Sequence, residues 1–222
     1  MMETNRLFTG IFKLCRWITY FFWLNLLWVG GTLLGGIVFG VMPSTTAVFT
    51  IARKTAAGEE DVPLFRTYWS IYRESFVRSN GVGALLLIIS LIWYVDFMFF
   101  RNMEGALHSA LHIVLIAVGI AIGMLLLYVF PVMVHYQVSI MATLKKALFI
   151  GFLLPANTVF LFVSLLSIYY LLIYLPGLIP LVGVSFIIHV NMWIAYKGFE
   201  RLTEIHLKHQ KKNASSERLP TT

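Results

Sequence analysis

Cysteine and charged residues are both scarce in this chain. Cys15 is the only cysteine, so an internal disulfide and a multi-cysteine metal site are both excluded. Charged residues make up 12% of the 222 positions, whereas hydrophobic residues make up 59%. Soluble globular domains carry roughly twice that charged fraction. The composition therefore predicts an integral membrane protein.

Charge is missing altogether from several long stretches, and these stretches predict the membrane spans. Residues 147–196 contain no Asp, Glu, Lys or Arg, and one helix of that length would measure about 75 Å, more than twice the hydrocarbon thickness of a bilayer. Pro176, Gly177 and Pro180 favour a turn within this run. We therefore predict an all-α, polytopic helical membrane bundle with interfacial amphipathic helices and about five transmembrane helices, over residues 17–42, 81–100, 111–134, 150–174 and 177–196. They form a single membrane domain, 1–200, followed by a polar, basic tail, 201–222.

Catalytic and metal-binding patterns are also lacking. The chain has no G-x-S-x-G, H-E-x-x-H or Walker-type motif, and no carboxylate or lysine lies deep in a predicted span. His108 and His112 are spaced for one helical face, but no third ligand accompanies them. His189 and Asn191 lie in or near the fifth span, where hydrogen bonds between helices account for such residues. We predict no enzymatic activity, no cofactor and no bound metal.

Basic residues exceed acidic ones by seven, and they collect beside the hydrophobic runs. In that position they contact lipid headgroups and set the topology, so nucleic acid is not expected as a partner. Counting five complete spans puts thirteen Lys and Arg residues on one side of the membrane and four on the other. The positive-inside rule then places residues 43–79 and the C-terminus on the cytoplasmic side of the cell membrane, with the N-terminus outside. A break at Gly30-Gly31 that makes the first segment re-entrant would change this count.

The longest polar interval between hydrophobic runs covers residues 43–79. Two capped helices are predicted there, with Gly58 ending the first and Pro63 beginning the second. The second helix carries its aromatic residues on one face and its arginines on the other. It is therefore either a passive interfacial connector or a surface for a partner protein or anionic lipid. The residues assigned to that surface are Arg53, Lys54, Arg66, Tyr68, Tyr72, Arg73 and Arg78.

Small residues recur four apart in two of the predicted spans, a spacing that lets helices approach closely. These steps are Gly31 with Gly35, Gly36 with Gly40, and Gly119 with Gly123. Asn25, inside the first span, is predicted to hydrogen-bond to a neighbouring helix. Packing within the chain explains the glycines, and the same face would also serve a homodimer.

The order of short motifs along residues 20–80 carries a family resemblance. The motifs are Asn25-Leu26-Leu27-Trp28, then Pro43, Thr46 and Ala47, then Arg53-Lys54 with Gly58-Glu59, and finally residues 65–73 with Phe76. In this order they resemble the YesL-like family of bacterial multi-pass membrane proteins, which is grouped under a domain of unknown function. The resemblance implies a companion of carbohydrate-utilisation systems, encoded beside sugar ABC transporters and glycan-degrading enzymes. It carries over no catalytic residue.

Together with the membrane character of the chain, the resemblance implies an accessory or scaffold component of bacterial carbohydrate uptake, with the lipid bilayer and sugar ABC transporter subunits as its partners. A small-solute transporter is the alternative. It would need a continuous polar cavity that joins Asn25, Asn157, His189 and Asn191. An intramembrane enzyme would need a base beside a serine or histidine in one pocket.

Overall fold

The chain folds into α-helices throughout the residues that the computed structural model describes, which are 2–59, 62–100 and 106–216. The helices are α1 (Met2–Leu34), α2 (Val38–Ala56), α3 (Leu64–Phe100), α4 (Ala106–Tyr136), α5 (Ile140–Leu153), α6 (Pro155–Tyr174) and α7 (Leu178–Ser216). No strand occurs in those three ranges. Of the predicted features, residues 217–222 of the tail and the side chain of His108 lie outside the described part.

Five of these helices contain stretches that are long and apolar enough to cross a membrane. The stretches are Gly10–Leu34, Leu64–Phe100, Leu111–Tyr136, Pro155–Tyr174 and Leu178–Ile205. In an apolar segment of 18 residues within each stretch, between 17% and 39% of the residues are buried within the bundle, so most of the apolar side chains point outward. Such a surface would be an aggregation hazard in water and is at home in lipid. The predicted all-α membrane bundle with five apolar helices is thereby confirmed.

The predicted first span, 17–42, is divided by a tight turn. α1 ends and α2 begins four residues later. Gly36 has a φ of +68°, and the N–H groups of Gly36 and Ile37 donate to carbonyls in the last turn of α1, which makes a Schellman motif. Gly30-Gly31, where the sequence allowed a break, remains helical. The chain therefore reverses direction inside what the sequence presents as one apolar run.

α2 runs back along α1 into the middle of the bundle, where it contacts α1, α3, α4 and α7. Ala47, Val48 and Ile51 are fully buried there. Four threonines would place polar groups in this core, but each hydroxyl donates to the carbonyl four residues earlier, at Thr45, Thr46, Thr50 and Thr55. This local pairing allows a threonine-rich helix to be enclosed. The short helix predicted between Pro43 and Gly58, in the polar interval, thus belongs to the core of the bundle.

The predicted interfacial helix at 64–79 and the second span form one continuous helix, α3, of 37 residues. Asn80, at the junction, donates to the carbonyl of Phe76 in the same helix and to that of Phe39 at the start of α2. The hydroxyls of Ser79 and Thr46 pair at 2.8 Å. These bonds hold α3 against α2, so the polar stretch does not interrupt the helix.

The helix directions bring the first half of α1 and the second half of α7 to the same end of the bundle. The Tyr20 hydroxyl lies 3.0 Å from the hydroxyl of Thr55 in α2 and 3.2 Å from Nε2 of His189 in α7. The last turn of α4 reaches this level as well, since the rings of His135 and Phe199 are 4.8 Å apart. Basic side chains gather here, and we call this part of the molecule the basic end: Lys13, Arg16, Arg53, Lys54, Arg78, Lys146, Lys197 and Arg201.

Candidate functional site

The first turns of α3 carry most of the residues predicted to contact a partner, and the structure divides them between two faces. Tyr68 is 0% exposed and Tyr72 is 7% exposed. The Tyr72 hydroxyl donates to the carbonyl of Gly31 at 2.9 Å, and the Tyr68 hydroxyl also lies against Gly31. The side-chain-free face of α1 leaves room for both hydroxyls, and it supplies a hydrogen-bond acceptor for that of Tyr72. These two tyrosines pack inside the bundle and are not available to a partner, contrary to the prediction.

The five predicted cations also differ in what they can reach. Arg78 donates to a carbonyl in the turn between α4 and α5. Lys54 pairs with the carboxylate five residues further on at 2.9 Å, and Arg53 is half-buried beside it. Arg66 and Arg73 are exposed. Of this set, therefore, the two exposed arginines of α3 are the ones positioned to meet another molecule.

Arg66 and Arg73 border a surface groove of about 690 Å³, which we call the α3 groove. Its remaining lining residues are Phe65, Trp69, Ser70 and Glu74. The Phe65 ring is 68% exposed and meets the Trp69 ring edge-on, with the centroids 6.2 Å apart. The groove thus combines open aromatic surface with two cations about two helical turns apart and one carboxylate, that of Glu74, so its charge is positive on balance. A segment that carries both acidic and apolar side chains would be complementary to it.

Asn25 lies at the contact between α1 and α7, and it completes the backbone bonding of α7. Its amide group donates to the carbonyls of Ile179 and Pro180 at 3.2 and 2.8 Å, and its oxygen accepts the N–H of Val184 at 3.2 Å. In a regular helix the N–H of Val184 would pair with the carbonyl of Pro180. Asn25 therefore pairs with backbone groups in the first turns of α7, which is a structural role.

Three of the predicted packing glycines let α1, α2 and α3 meet closely. A Cβ added to Gly35 would lie 2.6 Å from the backbone nitrogen of Gly40 and 2.7 Å from the Tyr72 hydroxyl. One added to Gly31 would lie 2.7 Å from the Ser44 hydroxyl and closer still to that of Tyr68. These positions are occupied by neighbours within the same chain, so this glycine face is not open to a second copy.

The other predicted packing glycines behave differently from one another. Gly36 adopts the left-handed backbone that the turn requires, and nothing lies within 4 Å of an added Cβ. Gly119 packs against the ring of Trp93, at 2.6 Å from an added Cβ. Gly123 has no neighbour within 4 Å and opens onto a cleft between α3, α4 and α6. Close helix packing is therefore seen at Gly119 and not at Gly36 or Gly123.

The polar residues that a transport path would need are spread over separate contacts. His189 lines a cavity of about 380 Å³ between α1, α2 and α7, but Asn25, Asn157 and Asn191 do not line it. Asn157 donates to a carbonyl of α7 and Asn191 to a carbonyl of α4. The four residues thus support contacts between helices and do not share this cavity.

Of the predicted histidine pair, the structure describes the side chain of His112, near the start of α4. His112 lies against the ring of Phe97, with centroids 5.2 Å apart. No group of three or more His, Cys, Asp or Glu residues that could hold a metal ion occurs in the described ranges. The described residues therefore contain no candidate metal site.

Sequence reasoning missed one polar cluster at the basic end. Tyr20 bonds to Thr55 and His189, which lie 35 and 169 positions away along the chain. The Tyr20 and His189 rings also meet edge-on, with centroids 5.3 Å apart. Taken alone, each residue has an ordinary explanation. Tyr20 fits an aromatic residue at the membrane interface, Thr55 fits a threonine within a helix, and His189 fits a polar residue at a contact between spans. Only the antiparallel packing of α1 with α2 and α7 brings them together.

The fold and these sites define a multi-pass α-helical membrane protein with one basic end. The chain belongs to a family described as a protein of unknown function, DUF624, whose model matches residues 21–97. It is 36% identical over 201 residues to the uncharacterized protein YteU of Bacillus subtilis (strain 168), covering 88% of this chain and 87% of YteU. It is 33% identical over 203 residues to YesV of the same organism, covering 91% and 96%, and 26% identical over 204 residues to YesL, covering 92% and 96%.

No solved structure matches the chain. The family model and the relatives confirm the resemblance to the YesL-like family, and the relatives extend it over most of the chain. The motif-rich residues 20–80 coincide with the stretch that the family model covers. This stretch contains the α1–α2 hairpin and the α3 groove, so the family is defined by the part of the chain that holds the candidate partner surface.

Proposed function

We propose that the chain is a non-enzymatic accessory or scaffold component of bacterial carbohydrate uptake. The observation that carries the proposal is the α3 groove, in which Arg66 and Arg73 flank the exposed ring of Phe65. The buried tyrosines of the same helix hold the groove on a rigid support, and preorganised surfaces bind at lower entropic cost. The family resemblance supplies the partner class, a subunit of a sugar ABC transporter. An acidic, apolar segment of that subunit would fill the groove.

The proposed orientation places the basic end in the cytoplasm. The turn at Gly36 returns the end of α2 to the level of Tyr20 in α1 and His189 in α7, so we assign the first half of α1, the end of α2 and the second half of α7 to one side of the membrane. α3 begins eight residues after α2 ends, and we assign the α3 groove to the same side. On this count Arg101 is the single Lys or Arg of the 17 in the chain that is assigned to the opposite side. This arrangement puts sixteen Lys and Arg residues on one side and one on the other, so the positive-inside rule supports it more strongly than the arrangement that divides them thirteen to four. The N-terminus, predicted outside from five complete spans, is accordingly proposed to be cytoplasmic.

A cysteine placed in the groove tests this orientation. In a Cys15→Ser background, Ser70→Cys should react with a membrane-impermeant maleimide only after the cells are permeabilised. Reaction in intact cells would place the α3 groove outside and remove the proposed cytoplasmic partner.

Photocrosslinking tests the accessory function itself. A photoreactive residue at Phe65 should capture a protein in cells grown on an oligosaccharide, and mass spectrometry should identify a transporter subunit. Val95, on the outward, apolar part of α3, is a matched control because it is 56% exposed and lies away from the groove. The Arg66→Glu, Arg73→Glu double variant should abolish capture while leaving membrane insertion unchanged. Capture of lipid alone at both positions, or capture of protein that the double variant leaves intact, would refute the proposed partner surface.

The transporter alternative has less support. It required one polar cavity to join Asn25, Asn157, His189 and Asn191, whereas the cavity beside His189 includes none of the three asparagines. An uptake assay in reconstituted vesicles distinguishes the two functions, because an accessory component on its own should move no oligosaccharide.

A further inference from the structure

We infer that the cavity between α1, α2 and α7 at the basic end binds one molecule of an anionic phospholipid. This site, which we call the α7 groove, is separate from the α3 groove, and the inference rests on the proposed orientation but not on the proposed partner. Its lining residues are Trp17, Phe21, Ala52, Thr55, Ala56, Phe186, His189, Val190 and Trp193.

The shape of the α7 groove fits a single lipid better than a helix. Its volume is about 380 Å³, within the range of small-molecule sites. Along α7 it runs from Phe186 to Trp193, which is about 10 Å of helix, whereas a transmembrane helix would need a groove nearer 30 Å long. The groove is therefore long enough for the glycerol region and the first part of an acyl chain.

The α7 groove stays open because large aromatic side chains form its walls and small alanine side chains form its floor. Trp17 and Trp193 are 38% and 48% exposed, so their rings form open apolar walls on α1 and α7. Ala52 and Ala56 are one turn apart on α2 and form the floor. Because their side chains are single methyl groups, the space between the aromatic walls stays empty of protein atoms. An acyl chain would cover this apolar surface.

Hydrogen-bonding groups line the inner part of the groove. Thr55 and His189 both line it, and the Tyr20 hydroxyl connects them at 3.0 and 3.2 Å. The Thr55 hydroxyl already donates to the carbonyl of Ile51, so these groups make this part of the groove polar, and the basic residues around the groove are left to bind a lipid phosphate. The groove therefore combines apolar walls with a polar inner part, as a lipid needs at the membrane interface.

Charge around the groove selects the type of lipid. The ammonium group of Lys197 lies 3.9 Å from the centre of the Trp193 ring, and Lys13 and Arg16 are exposed on α1 just before Trp17. Glu200 is the nearby carboxylate, one turn beyond Lys197 on α7. The local balance is positive, and basic sites between transmembrane helices on the cytoplasmic side favour anionic headgroups. A phosphatidylglycerol molecule satisfies both the charge and the apolar wall.

Native mass spectrometry of the full chain in detergent tests this site. Dioleoylphosphatidylglycerol should bind at least about fivefold more tightly than dioleoylphosphatidylcholine, and Lys197→Gln should remove about fivefold of that affinity, the value expected for one cation near an anionic surface. Lys208→Gln, further along α7, is the matched charge control and should change the affinity less than twofold. Equal binding of the two lipids, or an equal loss in both variants, would overturn the inference.

A second pair of variants locates the site independently of charge. Ala56→Phe fills the floor of the α7 groove and should reduce phosphatidylglycerol binding at least tenfold. Gly123→Phe fills the apolar cleft between α3, α4 and α6, where nothing lies within 4 Å of an added Cβ, and should leave that binding unchanged. Thermal unfolding of each variant checks that the bundle is intact. Unchanged binding in a folded Ala56→Phe protein, or a loss confined to Gly123→Phe, would place the lipid elsewhere.

Discussion

Replacing Gly31 by alanine should destabilise the bundle, although alanine is the better helix former. Gly31 faces the point where α1, α2 and α3 meet. The new methyl group would lie 2.7 Å from the Ser44 hydroxyl and closer still to that of Tyr68. Tyr68 is 0% exposed, so its ring has no free space into which it can move. Accommodation therefore requires α1 or α3 to shift.

The neighbouring glycine, Gly30, allows the change in the free energy of unfolding to be separated into a helix-propensity part and an overpacking part. An alanine at Gly30 meets nothing within 4 Å and should stabilise the helix by about 0.5–1 kcal/mol. Gly31→Ala gains the same amount from helix propensity and loses about 1–3 kcal/mol by overpacking. The propensity contribution cancels in the difference between the two variants. That difference, about 1–3 kcal/mol in favour of Gly30→Ala, measures the close approach directly.

Unfolding by sodium dodecyl sulfate in mixed micelles, followed by circular dichroism, gives the free energy for each variant. Adding Tyr68→Phe to Gly31→Ala should recover part of the loss, because it removes the nearest atom while the Ser44 hydroxyl and the ring carbon remain close. Equal free energies for Gly30→Ala and Gly31→Ala would show that α3 does not press against α1 at this point, and the packing described for Tyr68 and Tyr72 would be wrong.

Three further substitutions test other contacts in the same unfolding assay. Asn25→Leu should cost about 1–3 kcal/mol, because the N–H of Val184 and two carbonyls of α7 lose their partner within the membrane; no loss would mean that α7 closes its own ladder. Tyr72→Phe should cost about 0.5–1.5 kcal/mol through the bond to the Gly31 carbonyl, and an unchanged midpoint would argue against that bond. Ile37→Gly should stabilise by about 1 kcal/mol, because a β-branched residue is strained at a φ of 63°, and a loss would mean that the Ile37 side chain has a packing role.

The fold class was predictable from the sequence because a bilayer imposes a simple signal. Every backbone group in the hydrocarbon layer must be paired internally, so long apolar runs must be helices. The turn after α1 was not predictable in the same way. Several glycines between Gly30 and Gly36 are compatible with it, and the choice of Gly36 depends on the packing of α2 against α1. The burial of α2 in the core was not predictable either. Thr45 and Thr46 resemble helix caps in the sequence, but in the structure their hydroxyls bond to carbonyls of their own helix.

The candidate surface was predictable in part. Helical periodicity separates the arginine face of α3 from its tyrosine face, but it does not say which face turns inward. The sequence therefore assigned Tyr68 and Tyr72 to the same surface as Arg66 and Arg73, whereas the glycine face of α1 draws the tyrosines inside. The α7 groove depends on contacts between distant parts of the chain, as with Tyr20 and His189, and no local pattern reports such contacts.

The account depends above all on the hairpin of α1 and α2, which brings the first half of α1 and the second half of α7 to the basic end. The single native cysteine, Cys15, is exposed on α1 near this end and serves as a probe without any mutation. A membrane-impermeant maleimide should leave Cys15 unlabelled in intact cells and label it after permeabilisation, in parallel with a Lys208→Cys reporter on α7 in a Cys15→Ser background. Labelling of Cys15 in intact cells, with the α7 reporter still protected, would mean that α1 and α2 form one crossing and would contradict the account.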